Sequence, residues 1–304
     1  MSELPRWFEL GVRVPVGWCE LVAEALGAKF AHGVAFGAPS LASEPLPEGV
    51  ELVRVYAADG RGARELAASA REVLDGLAAA TEAPELAGLD VAVRELPPED
   101  FARSWEKRWK PFRIGRLAIV PPGSKRPLRA GDRPLFLEPG GAVGTGRHTT
   151  TRSCLRALQR RIRGGERVLD AGAGNGVLAV AAVLCGARSA VAFDNDPHAL
   201  PYAEKLAADN GVAEACDLRA GGFEVLAEHE RAFDAVFANI YADLIQRYSP
   251  ELASRLAPGG WFVFSGCHRD HRSATEAAIL AAGLAIEQRA STGRWDTYAG
   301  RRVR

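Results

Sequence analysis

From Arg167 to Cys267 the chain repeats one pattern: a short apolar run, a turn, and a longer run of helical periodicity. The apolar runs are "RVLDAG" (167–172), "SAVAFDND" (189–196), "FDAVFANI" (233–240) and "WFVFSGC" (261–267). Between them lie "VLAVAAVLCG", "PHALPYAEKLAADNG" and "LIQRYSPELASRLA", each long enough to return the chain as a helix. Parallel strands require such crossovers, and strands covered on both faces read as near-continuous apolar runs. The repeat therefore confines this part of the chain to a parallel, doubly wound α/β sheet. Two later runs, "LAIEQRAST" and "RWDTYAGRRV", stand only a few residues apart and are expected to pair as an antiparallel hairpin at the sheet edge.

The preceding sequence follows a different rule. "WFELGVRV", "WCELVAEALGA", "AHGVAFG", "VELVRVYA", "ARELAASAREVLDGLAAA" and "LDVAVREL" read as β-α-β-β-α-β, the order of a small ferredoxin-like sandwich over residues 1–96. The proline- and serine-rich stretch 38–49 is a loop within it. Next comes "EDFARSWEKRWKPF", with Phe101, Trp105 and Trp109 at helical spacing and Arg103, Lys107, Arg108 and Lys110 between them. It predicts an amphipathic linker helix within 97–113, stopped by Pro111. Its tryptophans either pack on a neighbouring domain or meet a substrate. From 114 to 304 runs the larger domain, where "RLAIVPP" and "RPLFLEPG" read as strands and "TTTRSCLRALQRRI" as a helix opened by a threonine cap.

Composition excludes several classes of protein. Lysine plus arginine numbers 38, equal to aspartate plus glutamate, so no global field draws the chain to nucleic acid or membrane, though a local basic face is still allowed. The five cysteines, Cys19, Cys154, Cys185, Cys216 and Cys267, are odd in number and form no CxxC pair, which argues against a disulfide framework or a structural zinc site. A reducing cytoplasm fits best. The opening "MSELPRWFELGVRV" lacks a signal core, and no apolar run reaches the length of about 18 residues that a membrane helix needs.

Three alternate glycines, Gly172, Gly174 and Gly176, follow the first strand of the repeat. Absent β-carbons allow a ligand to lie against backbone, beside the free N–H groups of a helix start. The alternative is a turn needed only for tight strand-to-helix packing. A dinucleotide fingerprint would place a third glycine where Val177 stands. The spacing is instead D-x-G-x-G-x-G, and the carboxylate of Asp170 suits a cationic ligand, such as the sulfonium and ammonium of S-adenosylmethionine, better than a pyrophosphate. Asp194 ends the second strand, where an acid can accept bonds from both ribose hydroxyls of an adenosine. Asp196 is expected to start or cap the next helix, with Pro197 in its first turn. Asn239, at the end of the third strand, brings two donors and an acceptor to the mouth of the sheet, or else simply forms a turn. "CHRDH" gathers Cys267, His268, Asp270 and His271, but no second Cys or His pair completes a zinc site, so a polar loop is the better reading and no metal is expected.

The segment "GTGRHTTT" (144–151), followed by D-x-G-x-G-x-G, "DNDPHAL" and "ANIYADL", resembles the bacterial PrmA family of class I methyltransferases, which methylate ribosomal protein L11. The resemblance spans nearly the whole chain and implies a Rossmann-like, mostly parallel seven-stranded sheet with a small α+β domain in front. It implies S-adenosylmethionine as cofactor, with Thr145 and the loop from Gly172 contacting it, Asp194 holding its ribose, and Asn239 beside the methyl group and the incoming amine. By the same likeness residues 1–96 recognise the protein substrate, the linker sets their angle, and 114–304 catalyse.

Methyl transfer to an amine needs a neutral nitrogen, whereas a free lysine, with pKa about 10.4, is protonated at neutral pH. Asn239 is expected to accept the amine's N–H through its side-chain oxygen and aim the lone pair. His148 either transfers a proton or ties its loop to the following helix, and it is not taken as catalytic. Tyr241 walls the amine channel or packs. Two alternatives stand beside this reading: a lysine methyltransferase of another protein, such as the electron-transfer flavoprotein beta subunit, and a non-catalytic S-adenosylmethionine-binding module. The glycine spacing disfavours a nicotinamide dehydrogenase. A cytoplasmic monomer, with neither membrane attachment nor sequence-specific nucleic-acid binding, is expected.

Overall fold

The structure, a computed structural model, describes residues 7–30, 34–36, 46–58, 62–81, 83–96, 111–122, 124, 127–137, 146, 148–197 and 199–303. It divides into two compact units, Met1–Lys110 with Pro139–Val143, and Pro111–Glu138 with Gly144–Arg304.

In the first unit β1 (Trp7–Pro15), α1 (Cys19–Phe30), β2 (Val34–Phe36), β3 (Val50–Ala58), α2 (Ala63–Thr81) and β4 (Val91–Leu96) follow the order read from periodicity. The sheet runs β2-β3-β1-β4 with every neighbour antiparallel. Phe8, Leu10, Val12 and Val14 alternate along β1 and are buried with Val22 and Leu26 of α1 and Leu66 and Leu74 of α2. Strand period two thus meets the three-and-four spacing of two helices on one face of the sheet.

The second unit opens with a small sheet of β5 (Phe112–Ile114), β6 (Leu117–Val120) and β7 (Arg133–Phe136). β5 and β6 form a hairpin, whereas β7 lies parallel to β6. The helix read over 97–113 falls outside the described residues up to Lys110, and its last two positions need correction: Phe112 and Arg113 belong to β5. Pro111 blocks helix continuation, and the residues after it take their hydrogen bonds from β6.

The remaining elements are α3 (Thr149–Arg161), β8 (Arg167–Ala171), α4 (Val177–Cys185), β9 (Ser189–Asp194), α5 (Leu200–Asp209), β10 (Cys216–Ala220), β11 (Phe233–Asn239), α6 (Ala242–Arg255), β12 (Leu256–His268), α7 (Arg272–Ala281), β13 (Leu284–Thr292) and β14 (Trp295–Arg302). They build a seven-stranded sheet ordered β10-β9-β8-β11-β12-β14-β13. The first five strands are parallel; β14 enters antiparallel to both of its neighbours. β8 shows how the layers form. Leu169 and Ala171 join a core with Ala242, Ile245 and Leu252 of α6 and Ile279 of α7, while Asp170, between them, bonds to Ala179 of α4. Successive residues of a strand face opposite ways, so α6 and α7 cover one face and α4 the other.

Strand order reverses between β8 and β11. From β8 the chain winds outward through β9 to β10, then crosses back to β11 on the other side. The carboxyl ends of β8 and β11 therefore border a crevice that no crossover fills, the general location of ligand sites in open α/β sheets.

Candidate active site

Three segments meet at that crevice: the glycine loop after β8, the end of β9, and the end of β11 beside the first turn of α3. In the loop, Gly172, Gly174 and Gly176 have φ of +73°, +54° and +76°, a left-handed backbone that L side chains adopt at a cost. The N–H groups of Gly172 and Ala173 both donate to the carbonyl of Phe193 on β9, at 2.9 and 3.0 Å. A β-carbon on Gly172 would lie 2.3 Å from Cγ2 of Ile240, and one on Gly176 would lie 3.1 Å from Cβ of Ala203. At these two positions the chain's own packing requires glycine. Of the two readings of the loop, tight strand-to-helix packing accounts for the glycines at these two positions.

Asp194 fastens the loop to β9. Its Oδ2 accepts from the N–H of Gly174 at 2.7 Å and its Oδ1 from the N–H of Asp196 at 2.9 Å. The carboxylate is half-buried, and each oxygen retains a lone pair for a further donor. Asp196 does not cap α5 as expected. The helix begins at Leu200 with Ala199 as its N-cap and Pro201 in its first turn, and the carbonyl of Asp196 instead accepts from the N–H of Ala199 across a turn. The Asp196 N–H is already committed to Asp194, which holds this residue back in the loop.

Asp170 is wholly buried. Its Oδ2 accepts from the N–H of Ala179 at 3.1 Å, and its Oδ1 has no hydrogen-bond partner among the described residues. Burial pushes the carboxyl up to about 7; the Ala179 bond draws it down and the negative charge of Asp194 raises it further. An orphaned carboxylate oxygen, held near a second acid, fits a cationic ligand.

Asn239 ends β11 opposite Ser265 of β12. Its Nδ2 donates to Oγ1 of Thr151 at 3.4 Å, which leaves Oδ1 as the amide's acceptor. Thr151 is buried in the first turn of α3. The cap of that helix is His148 rather than a threonine: Nδ1 sits 2.6 Å from Oγ1 of Thr150 and accepts from the Thr150 N–H at 3.4 Å. His148 therefore ties its loop to the helix. Its ring meets the indole of Trp295 edge-on at 5.6 Å, and His268 meets the same indole at 5.6 Å.

The "CHRDH" run spans the end of β12, which holds Cys267 and His268, and the short turn Arg269–His271 that follows it. Cys267 is buried and its thiol is pushed up to about 12 by burial. His268 Nδ1 accepts from the N–H of Asp270 at 3.4 Å, and burial lowers its imidazole pKa. Among the described residues no three of His, Cys, Asp and Glu are arranged to hold a metal ion. Tyr241 is exposed at the N-cap of α6. Thr145, expected to touch the cofactor, lies outside the described residues, as do Trp105 and Trp109.

The sequence model described as "Ribosomal protein L11 methyltransferase (PrmA)" matches residues 6–303. The chain belongs to that family. A ribosomal protein L11 methyltransferase of Pelotomaculum thermopropionicum is 38% identical over 316 residues, covering 97% of this chain and 98% of the relative. One from Heliobacterium modesticaldum is 30% identical over 314 residues, covering 98% of each. Among solved structures, a ribosomal protein L11 methylase from Lactobacillus delbrueckii subsp. bulgaricus superposes with a TM-score of 0.58 at 29% identity, covering 64% of this chain and 99% of that one.

In this PrmA-family chain the carboxyl edge of the sheet holds further residues that periodicity did not single out. Ser265 shares a 2.7 Å hydrogen bond with Thr297. Asp296, wholly buried, accepts from Nε of Arg272 at 2.7 Å, from its Nη2 at 3.0 Å and from Oγ of Ser291 at 2.6 Å. These groups sit on β12, α7, β13 and β14, and only the tertiary fold brings them together.

Proposed function

We propose that this chain transfers methyl groups from S-adenosylmethionine to amino groups of ribosomal protein L11. The observation that carries the reading is the family match over residues 6–303, with Asp170, the glycine loop, Asp194 and Asn239 all at the switch point of the sheet. The relatives matched along their whole length bear the ribosomal-protein name, so the flavoprotein alternative is not favoured.

When bound, S-adenosylmethionine supplies a methyl carbon made electrophilic by its sulfonium. The chain's residues do the rest. Asp194 accepts the ribose hydroxyls with the lone pairs it does not spend on Gly174 and Asp196. Asp170, whose Oδ1 has no partner among the described residues and whose carboxyl burial pushes up to about 7, would gain a partner from the positive end of the cofactor, which would favour its ionised form. The glycine loop, without β-carbons at Gly172, Gly174 and Gly176, would admit the cofactor closely. Asn239, its amide orientation fixed by Thr151, turns Oδ1 to accept an N–H of the substrate amine and align its lone pair for in-line attack. A dry crevice favours the neutral amine, and alignment lowers the barrier by several kcal/mol. Residues 1–96 grip the protein substrate, and the unit that begins at Pro111 carries the chemistry. The protein acts as a monomer in the cytoplasm.

The test is methyl transfer to purified L11, read by intact mass, with Asp194→Ala as control. Mass gains of whole methyl groups that vanish in the control are expected. Normal cofactor binding without any gain on L11 would overturn the substrate.

A further inference from the structure

Helix α3, which brings Thr151 to Asn239, carries a second feature that methyl transfer does not use. Every charged residue on it is an arginine: Arg152, Arg156, Arg160 and Arg161, with Arg163 just past its end. Arg152, Arg156 and Arg160 recur at i, i+4 and i+8, so they form one stripe at steps of about 6 Å along the axis. Cations in a last turn complement the helix dipole, which accounts for Arg160 and Arg161. Arg152 stands in the first turn, where a cation opposes the dipole, and that turn holds no acid.

Arg161 pairs with Glu287 at 3.0 Å, but among the described residues Arg156, Arg160 and Arg163 have no side-chain ion pair or hydrogen bond, and all three are exposed. Arg152 rests on the ring of Phe112, 5.7 Å from its centroid, and burial together with the charge of Arg156 holds its guanidinium below the usual range. At the foot of the helix Arg160, Arg161, Arg163 and Arg301 line a concavity of about 350 Å3. Two acids share the lining: Glu166, which accepts from the backbone N–H groups of Arg163 and Gly164, and Asp234, which accepts from that of Arg167. Arg301 pairs with Glu287 at 3.1 Å, so the cations without an ion pair there among the described residues are Arg160 and Arg163.

We propose that this stripe binds the phosphate backbone of RNA. Guanidinium forks match phosphate oxygens, and one fork per helical turn lets each take its own phosphate. The apolar residues of α3, Cys154, Leu155 and Leu158, are buried, so the stripe offers no anchor for a peptide side chain and no apolar fringe for a membrane. No exposed aromatic interrupts it among the described residues, so contact is to the backbone and independent of base sequence. The choice of RNA among polyanions rests on the ribosomal reading above; the charge argument does not.

The experiment is fluorescence anisotropy with a labelled mixed-sequence RNA of about 20 nucleotides, long enough to span the stripe several times over, at increasing salt. Three phosphate contacts to a single strand give a slope of log affinity against log salt of about −2, and so about a twentyfold loss between 50 and 200 mM. Combined Arg156→Ala, Arg160→Ala and Arg163→Ala is expected to abolish that slope while methylation of isolated L11 and the melting temperature stay unchanged. The matching lysine variants should keep the slope. Equal binding and slope in the alanine variant would overturn the proposal, as would displacement of the RNA by polyglutamate as readily as by unlabelled RNA, which would point to an acidic protein. A retained slope in a protein that methylates no L11 would count against the methylation reading alone.

Discussion

Substituting Gly172 by alanine isolates the most constrained point of the glycine loop. Two costs can be read from the structure. The backbone there has φ +73°, and holding an alanine in that left-handed region costs about 1–2 kcal/mol. The new β-carbon would also stand 2.3 Å from Cγ2 of Ile240, and relieving such overpacking costs about 1–3 kcal/mol. Together they remove about 2–5 kcal/mol from a fold whose total stability is on the order of 5–15 kcal/mol. The two terms separate cleanly, because the next atom in the way is Cβ of Ile240 at 3.8 Å, an ordinary contact. Ile240→Ala deletes Cγ2 and should therefore cancel the steric term only, leaving Gly172→Ala worth about 1–2 kcal/mol in that background. Equilibrium urea unfolding of the full chain and its three variants, compared at constant m-value, measures the cycle. A cost for Gly172→Ala that is the same with and without Ile240→Ala would refute the argument that Ile240 excludes a β-carbon there.

Three further outcomes are expected. Asp170 titrates near 7 when folded and near 3.8 when unfolded, so the folded chain binds more protons between those values; its contribution to stability is full below about pH 4 and lost by pH 7, at most about 4 kcal/mol. Urea midpoints across this window should fall with pH, and Asp170→Asn should flatten that component; an identical fall in both proteins would contradict it. On the proposed chemistry Asn239→Ala lowers kcat about a hundredfold, and Thr151→Val about two- to tenfold, with cofactor affinity unchanged in each; normal turnover by the asparagine variant would remove it from the mechanism. Arg272→Ala strands the buried Asp296 carboxylate and should cost about 3 kcal/mol in unfolding measurements, part of which Asp296→Asn restores; a cost under about 1 kcal/mol would show that the carboxylate finds another partner.

What the sequence made legible follows from how local each signal is. β8, β9, β11 and the crossover helices announce themselves as apolar runs and periodic stretches, because both faces of a central parallel strand are covered. β10 did not stand out. "CDLRA" pairs among the described residues with β9 alone, none of its residues is fully buried, and an edge strand needs no apolar run. The glycines were visible as a need for bare backbone, but their reason is Ile240 on one side and Ala203 on the other, which no window around the loop contains. Threonine was the expected cap of α3 because hydroxyls usually serve there; His148 does the same work through Nδ1, a role its position permits but its residue type seldom advertises. The indole of Trp295 lodged against His148 and His268 joins three separate segments and left no sequence trace.

The interleaving of β14 between β12 and β13 has a consequence for biosynthesis. When the ribosome has emitted the chain through β13, all five parallel strands and both helical layers are already available, yet β12 still presents an open backbone edge along Phe262, Val263 and Phe264, side chains that end up fully buried. Among the described residues β14 is the one strand that pairs with β13, so β13 has no neighbour to join until β14 arrives. A nascent or truncated chain that stops before Trp295 thus carries one unsatisfied sheet edge and one unattached strand, the pair of features that invites edge-to-edge association. Protection of that edge depends on the last strand of the hairpin, so a holding chaperone, or rapid release of the finished chain, matters more to this protein than to one whose sheet closes in order of synthesis.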